Sequence, residues 1–476
     1  MNFTVSNLGP INTAPISFKD LTVLCGGNNT GKTYFIYAFY SLLNAIRSAR
    51  VYKLSEKERL SFCSGGKVQI EILNIVSAYR EMFTNAFRKE FLGVLAKDLA
   101  MEGAVPANAE VDLSLGREIT EVAEEFCNKD DSTLTVSFSR QTTIRCSHTK
   151  GQDSILCEYL PPKPIADETP PVIFPLDESV LKILDWMLPL FIQNHIVRPF
   201  FITCERNGIA MFGRELNLFN ALATNGTVED LELLQKIRKR FEFRGYSLPV
   251  RREIDFNLKI HEIQKRKSFL AEIGSSVIAA FDKIAGGTYC VSDDAAHVLR
   301  FTPKGVQTGP IPITECSSSV RSLVELNYYI KHLARRGDLL MIDEPELDLH
   351  PELQRKVARL IASMVNEGIK VFVSTHSDYF VREMNVLLAG HDRNGNVLIE
   401  NAKRLGCSKN ELVDPSRVSC YIMQDGGVSP MKFVEGIGFP VKSFDDNIRN
   451  FNEFKHVALD IYSEKTQRVT EDSGVE

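Results

Sequence analysis

The chain has no long uninterrupted hydrophobic run. Its most apolar stretch, Val180 to Ile196, is broken by Lys182, Asp185, Pro189, Gln193 and Asn194. A membrane-spanning helix needs roughly 20 apolar residues, so this stretch is too short and too polar. The start, Met1 to Pro10, carries neither the basic lead nor the apolar core of a secretory leader. A cytoplasmic protein with no membrane attachment is therefore expected. Zinc-type spacing is missing as well. The cysteines (Cys25, Cys63, Cys127, Cys146, Cys157, Cys204, Cys290, Cys316, Cys407, Cys420) form no C-x-x-C pair and have no histidine at ligand distance, so they read as reduced thiols. Internal repeats, low-complexity tracts and sustained heptads are absent, which excludes a solenoid or a long coiled coil. Positive charge is not in excess. A net charge of -5 excludes a chain that coats nucleic acid through bulk charge, although a local basic face is compatible with it.

What is present is the composition of an ordinary globular protein, 44% hydrophobic and 25% charged over 476 residues, long enough for two or three domains. Residues 1–50 read as strand, turn, strand and helix, the helix carrying Phe35, Ile36, Phe39, Leu42, Leu43 and Ile46 at helical spacing. Further on, a helix is expected over Ala78 to Leu99 and a strand over Leu134 to Phe138. A proline-rich connection follows over Pro161 to Pro175, then a helix over Val180 to Ile196 and a strand over Pro199 to Thr203. Residues 226–285 read as helical and charged, and 287–302 as a hairpin. The most regular block, 311–400, alternates helix and strand.

Three motifs carry chemistry. Gly26-Gly27-Asn28-Asn29-Thr30-Gly31-Lys32-Thr33 fits the P-loop pattern G-x-x-x-x-G-K-[ST], between a strand and a helix. In such a loop the glycines let backbone amides and the helix start approach phosphate. Lys32 would reach the β- and γ-phosphates, and Thr33 would offer its hydroxyl to Mg²⁺. Second, Asp338 to Pro345 reads as a buried parallel strand ending in two carboxylates, at the edge where open α/β sheets bind ligands. Asp343 is expected in the Mg²⁺ shell and Glu344 as the general base for the attacking water. Third, Val371 to Ser377 reads as a neighbouring strand ending at His376, which would then sense the γ-phosphate. A serine cluster, Ser317, Ser318 and Ser319, opens an amphipathic helix with Leu323, Leu326, Tyr329, Ile330 and Leu333. By itself it reads as an N-cap.

In this order the motifs resemble the ABC ATPase family: P-loop, signature helix, Asp-Glu strand, D-loop, switch histidine. The resemblance implies an α/β ABC-type P-loop ATPase head with a long mixed α+β and helical insertion between P-loop and signature. The head would be split into residues 1–50 and 311–400, with the insertion over 51–310 and a small α/β extension over 401–476. It implies ATP and Mg²⁺ as ligands, two heads sandwiching ATP in a homodimer or higher homo-oligomer, Ser317, Ser318 and Ser319 as the signature, Asp348 in the D-loop and His376 as the switch. The family's usual signature glycine pair is absent. Gln69 and the pair Glu205-Arg206 are candidates for its Q-loop contact. Lys32 and Ser317 are 285 positions apart (317 − 32), too far for a transporter ATPase, and prolines and mixed patterns fill the gap where SMC and DNA-repair relatives place coiled coils.

Asn7 to Ile11, Asp343 to Pro351 and Cys204 to Ile209 look like the OLD-type group of AAA/ABC ATPases, many of which serve bacterial anti-phage defence. Phe433 to Gly436 is similar to the start of that group's Toprim nuclease, but no Asp-x-Asp follows. The expectation is therefore a stand-alone ATPase of a two-gene system, similar to the PARIS (AriA) and Septu (PtuA) ATPases, controlling a separate Toprim or HNH nuclease or toxin. The alternative is an ATPase acting directly on nucleic acid. Its best support is the run Lys236 to Lys267, with eleven basic residues against four acids; a solvated helix pair is the default reading of that run.

Overall fold

In the computed structural model of the chain, the described residues are 1–49, 51–82, 85–101, 105–114, 119–137, 143–160, 178–193, 196–213, 246–292, 297–305, 309–390, 404–435 and 437–440. The proline-rich connection and the first part of the basic run, through Arg244, lie outside them. Sixteen strands are described. In chain order they are β1 (Asn2–Leu8), β2 (Ile11–Ser17), β3 (Leu21–Gly26), β4 (Lys67–Glu71), β5 (Glu110–Ser114), β6 (Ser132–Ser137), β7 (Thr143–His148) and β8 (Ser154–Leu160). They continue with β9 (Pro199–Ile202), β10 (Gly287–Val291), β11 (Leu299–Pro303), β12 (Ile311–Pro312), β13 (Leu339–Asp343), β14 (Lys370–Thr375), β15 (Val418–Gln424) and β16 (Gly427–Pro430).

Nine of them form one sheet in the order β5-β1-β2-β16-β15-β3-β14-β13-β9. Within it β15, β3, β14, β13 and β9 run parallel, so their carboxyl ends meet at one edge. Strands buried on both faces need apolar residues at consecutive positions, and β13, Leu-Leu-Met-Ile-Asp, is buried throughout. Alternation then sorts the side chains by face. Leu339, Met341 and Phe372 join the helix Lys32–Ser48 on one side. Leu340, Ile342, Val371 and Val373 join the helices Ser276–Ala285 and Pro351–Asn366 on the other. The inserted region builds its own four-stranded sheet, β4-β8-β7-β6, over a core that includes Phe62, Ile144, Ile155, Leu184 and Phe191. β10 and β11 pair antiparallel, as the hairpin reading expected, and β12 adds a third strand.

One expectation needs correction. The boundaries at 51–310 and 401–476 do not match the sheet. β5 and β9 come from the stretch assigned to the insertion, and β15 and β16 from the stretch assigned to the extension, yet all four belong to the central sheet. Pairing between strands far apart in the sequence is non-local, so the pattern of a short strand does not say which sheet it joins. Over the helix expected at Ala78 to Leu99, the described residues are helical in Ile72–Met82 and in Asn85–Asp98.

Phe372 lies fully buried on β14, with the rings of Phe18, Phe35 and Phe39 edge-on at 5.1, 6.1 and 6.2 Å. Replacing it with alanine should lower stability by about 3–5 kcal/mol, the cost of a buried aromatic truncation. Phe372→Leu, which keeps most of the volume, should cost clearly less in the same thermal unfolding measurement.

Candidate active site

The sheet's carboxyl edge collects the site. β3 ends at Gly26, and the following turn enters the helix Lys32–Ser48 through Gly31, whose φ of 103° is a left-handed conformation costly to any side chain. A Cβ on Gly26 would stand 2.4 Å from the carbonyl oxygen of Met423 on β15, so backbone packing alone requires glycine there. Gly27, Asn28 and Asn29 are exposed, and Gly31 and Lys32 are buried. The loop thus presents its outer backbone to solvent at a helix N-terminus, the arrangement that binds anions. The Lys32 ammonium is held across the loop, donating to the carbonyls of Gly26 (3.0 Å) and Gly27 (2.7 Å). Burial pulls its pKa down, while the carboxylates of Asp343, Glu344 and Glu346 work against that.

β14 lies between β3 and β13, which brings the two acidic positions to the loop. Thr33 Oγ1 donates to Asp343 Oδ2 at 3.2 Å across 310 positions of sequence, and Ser374 Oγ on β14 donates to Asp343 Oδ1. Asp343 is 1% exposed. Burial pushes its carboxyl up to about 6, assisted by the charges of Glu344 and Glu205 and opposed by the two hydroxyl donors. Its neighbour Glu344 has left the strand with φ 52°, an uncommon conformation for a non-glycine residue that turns its side chain out of the sheet. Glu344 Oε1 lies 3.3 Å from His376 Nδ1. That contact holds the Glu344 carboxyl below its usual range and raises His376 above its own.

Glu346, which sequence reasoning passed over, anchors the histidine's backbone. Its Oε1 accepts from Thr375 Oγ1 (2.8 Å), His376 N (2.9 Å) and Ser377 N (3.1 Å). Nothing in the pattern Asp-Glu-Pro-Glu marks the second glutamate as the anchor, since its partners come from the next strand. Thr33 and Asp343 offer hydroxyl and carboxylate oxygens, the hard donors Mg²⁺ prefers. Among the described residues no three or more His, Cys, Asp or Glu side chains group to hold a metal by themselves. Such a donor pair suits an ion whose other ligands are phosphate and water.

The remaining candidates lie away from the P-loop or act differently. Gln69 is on β4 of the insert's own sheet, facing solvent, so it does not serve as a Q-loop contact; a glutamine on an alternating strand carries no mark of which sheet it joins. Arg206 is not a free phosphate ligand either. It is 3% exposed and donates to the backbone carbonyls of Thr203 (2.8 Å), Asp343 (2.9 Å) and Glu344 (2.6 Å). Glu205 accepts from the hydroxyl of Tyr37 on the P-loop helix at 2.8 Å. Ser317 caps the helix Ser318–Ser322 and hydrogen-bonds Ser319 at 3.0 Å, and Ser318 opens that helix. Asp348, exposed and at φ 60°, accepts from Asn207 Nδ2 at 2.7 Å.

Residues 233–381 match the family model AAA_15, the AAA ATPase domain. The chain carries an ATPase domain and is an ATPase. The matched segment includes β13, β14, Asp343, Glu344 and His376; the P-loop lies outside it. No match to a curated protein was found. Solved structures similar to the ATPase include three SMC heads. One is the Smc head bound to the C-winged helix domain of ScpA (10% identity, TM-score 0.34, covering 90% of this chain and 96% of that one). Another is the Smc head domain with an extended coiled coil bound to the C-terminal domain of ScpA from Pyrococcus furiosus (13%, 0.31, 95% and 98%). The third is the SMC head domain from Thermotoga maritima (10%, 0.27, 90% and 98%). Likeness at that level says nothing of what the ATPase binds. No helix among the described residues is long and apolar enough to cross a membrane.

Behind Arg206 two carboxyls are buried together. Burial raises Glu253 to about 7 and Glu325 well above its usual value, the latter also through Glu253, while the guanidinium of Arg206 draws both down. Glu253 accepts from the amide of Thr203 at 3.2 Å and from its hydroxyl, and Asn257 donates to Glu325 at 3.3 Å. With both carboxylates ionised Glu253 Oε1 has no donor; a proton on Glu325 supplies one and leaves a single negative charge facing Arg206. The folded ATPase therefore holds protons that the unfolded chain releases near pH 4–5. Bound protons in excess in the folded state mean that stability falls as pH rises from about 5 through 7. Glu325→Gln keeps a donor and removes the more strongly raised of the two titrating carboxyls. Its melting temperature should vary less between pH 5 and 8 and exceed the parent's at pH 8; an unchanged pH profile would contradict the shared proton.

Proposed function

We propose that this ATPase is a nucleotide switch that hydrolyses ATP between two copies of itself and thereby holds or releases a separate effector, as part of a bacterial anti-phage system. The observation that carries the hydrolytic reading is the contact between Thr33 and Asp343, with Glu344 and His376 beside it. Phosphate would lie against the amides of Gly26 to Thr33, and Lys32 would shift from the loop carbonyls to the β- and γ-oxygens. Thr33 and Asp343 would hold Mg²⁺, which when bound neutralises phosphate charge. The Glu344 carboxylate, held ionised by His376, accepts the proton of the attacking water. His376 then keeps that carboxylate oriented, its own backbone fixed by Glu346. Ser317, Ser318 and Ser319 of a second copy would meet the γ-phosphate, with Asp348 at the seam. The defence role and the nuclease or toxin effector rest on the resemblance of Asn7 to Ile11, Cys204 to Ile209 and Asp343 to Pro351 to OLD-type ATPases.

Glu344→Gln should lower kcat by at least ~10²-fold, the usual worth of a general base, and retain ATP with a closed pair of copies in light scattering. Lys32→Ala should lose nucleotide binding. Turnover unaffected by Glu344→Gln would remove the base from its role, and a chain that stays single in ATP would remove the sandwich. For the switch, the product of the adjacent gene should copurify in one nucleotide state and dissociate in the other. Equal association with Glu344→Gln and Lys32→Ala would contradict regulation by ATP. Salt-sensitive DNA binding without any protein partner would favour direct action on nucleic acid.

A further inference from the structure

The turn that follows β9, Cys204 to Asn207, touches four elements of the site: the P-loop helix through Glu205, the β13 tip through Arg206, and Asp348 and Arg321 through Asn207. β9 pairs with β13 only as far as Ile202 and Ile342. Beyond that point the pairing stops, so the Asp343 carbonyl, which faces the β9 side, has no strand partner there, and Glu344, whose N–H donates to Ser374 on the other side, has turned off the strand. The Arg206 guanidinium takes that place, donating to the carbonyls of both residues and to that of Thr203 in its own turn. Its planar fork can hold two carbonyl groups at once, which a lysine cannot do with the same geometry. The residue held is Glu344, whose φ of 52° persists only where its surroundings impose it. Next in sequence, Asn207 donates to Asp348 at 2.7 Å and accepts from Arg321 Nε at 2.6 Å. Arg321 also donates to the carbonyl of Cys316, just ahead of the serine cluster.

We propose that Arg206 is a positioning residue for the Glu344 carboxylate, and that Asn207 on the same turn ties this position to the helix that begins at Ser318. The inference rests on the assignment of Glu344 as base. A displacement of the signature helix would move Arg321, then Asn207, and with them the turn that fixes Glu344. Arg206 touches no reacting atom, and its effect is on geometry: a misplacement of about 1 Å can cost ~10²-fold in rate.

The test uses the full chain, with ATP turnover and fluorescent-ATP binding measured on the same preparations as thermal unfolding. Arg206→Gln should lower kcat by ~10²-fold while KM and nucleotide affinity stay within about threefold. Arg206→Lys should recover part of the loss. Asn207→Ala, at a half-buried position that folding tolerates more readily, should lower kcat several-fold with melting temperature unchanged. A folded Arg206→Gln enzyme with parental kcat overturns the proposal, as does a loss confined to ATP affinity, which would make Arg206 a binding residue. Should Arg206→Gln fail to fold, Asn207→Ala decides, and its full activity overturns the link to the helix. Failure of the underlying assignment is distinct: Glu344→Gln would then turn over like the parent, and the positioning role falls with it.

Discussion

A buried carboxylate at the tip of β13 is the constraint around which the site is arranged. Asp343 is almost inaccessible to solvent, and a charge in that position is tolerated only with donors close by. Two are supplied, Thr33 from the P-loop helix and Ser374 from the strand between. Satisfying one carboxylate therefore fastens the beginning of the chain to its last third. Parallel strands make this possible because all their carboxyl ends share an edge, and the apolar runs of β3, β13 and β14 set that order by being buried on both faces.

A second layer fixes the first. Glu346 gathers the Thr375 hydroxyl and the amides of His376 and Ser377, so the histidine's backbone is determined by the same segment that carries Glu344. Arg206 secures that segment from the opposite side. Its own charge is balanced by Glu253 and Glu325, whose shared proton leaves one negative charge against one positive. Removal of either carboxyl's counter-charge would leave a buried ion uncompensated, which is costlier than the pair itself. The backbone around Glu344 and His376 is thus held by several hydrogen bonds, while Gly27 to Asn29 remain exposed to solvent.

Much of this was legible in the residues. The glycine loop, the Asp-Glu tip and the strand ending at His376 are local patterns, each with a reason in backbone geometry or charge, and they meet as topology requires. What local pattern does not carry is long-range pairing. β5, β9, β15 and β16 are short, and their membership of the central sheet depends on partners 100 to 400 positions away. Gln69 looked like a contact residue because a glutamine on an alternating strand carries no mark of which sheet it joins. Arg206 looked like a phosphate ligand because a lone arginine after a strand does not reveal that unpaired carbonyls await it. Glu346, Glu253 and Glu325 were invisible for the same reason: each is defined by what it accepts from elsewhere.

The joint grip of the P-loop and the β13 tip can be measured through a double-mutant cycle on Thr33→Ala and Asp343→Asn, reading kcat/KM for ATP at saturating Mg²⁺. Groups that act as a unit on one ion couple by 0.5–3 kcal/mol, whereas independent sites add within about 0.5 kcal/mol. The account predicts strong coupling, with the double variant little worse than the more damaging single one. Losses that simply add would mean that the two residues do not serve the same magnesium and triphosphate.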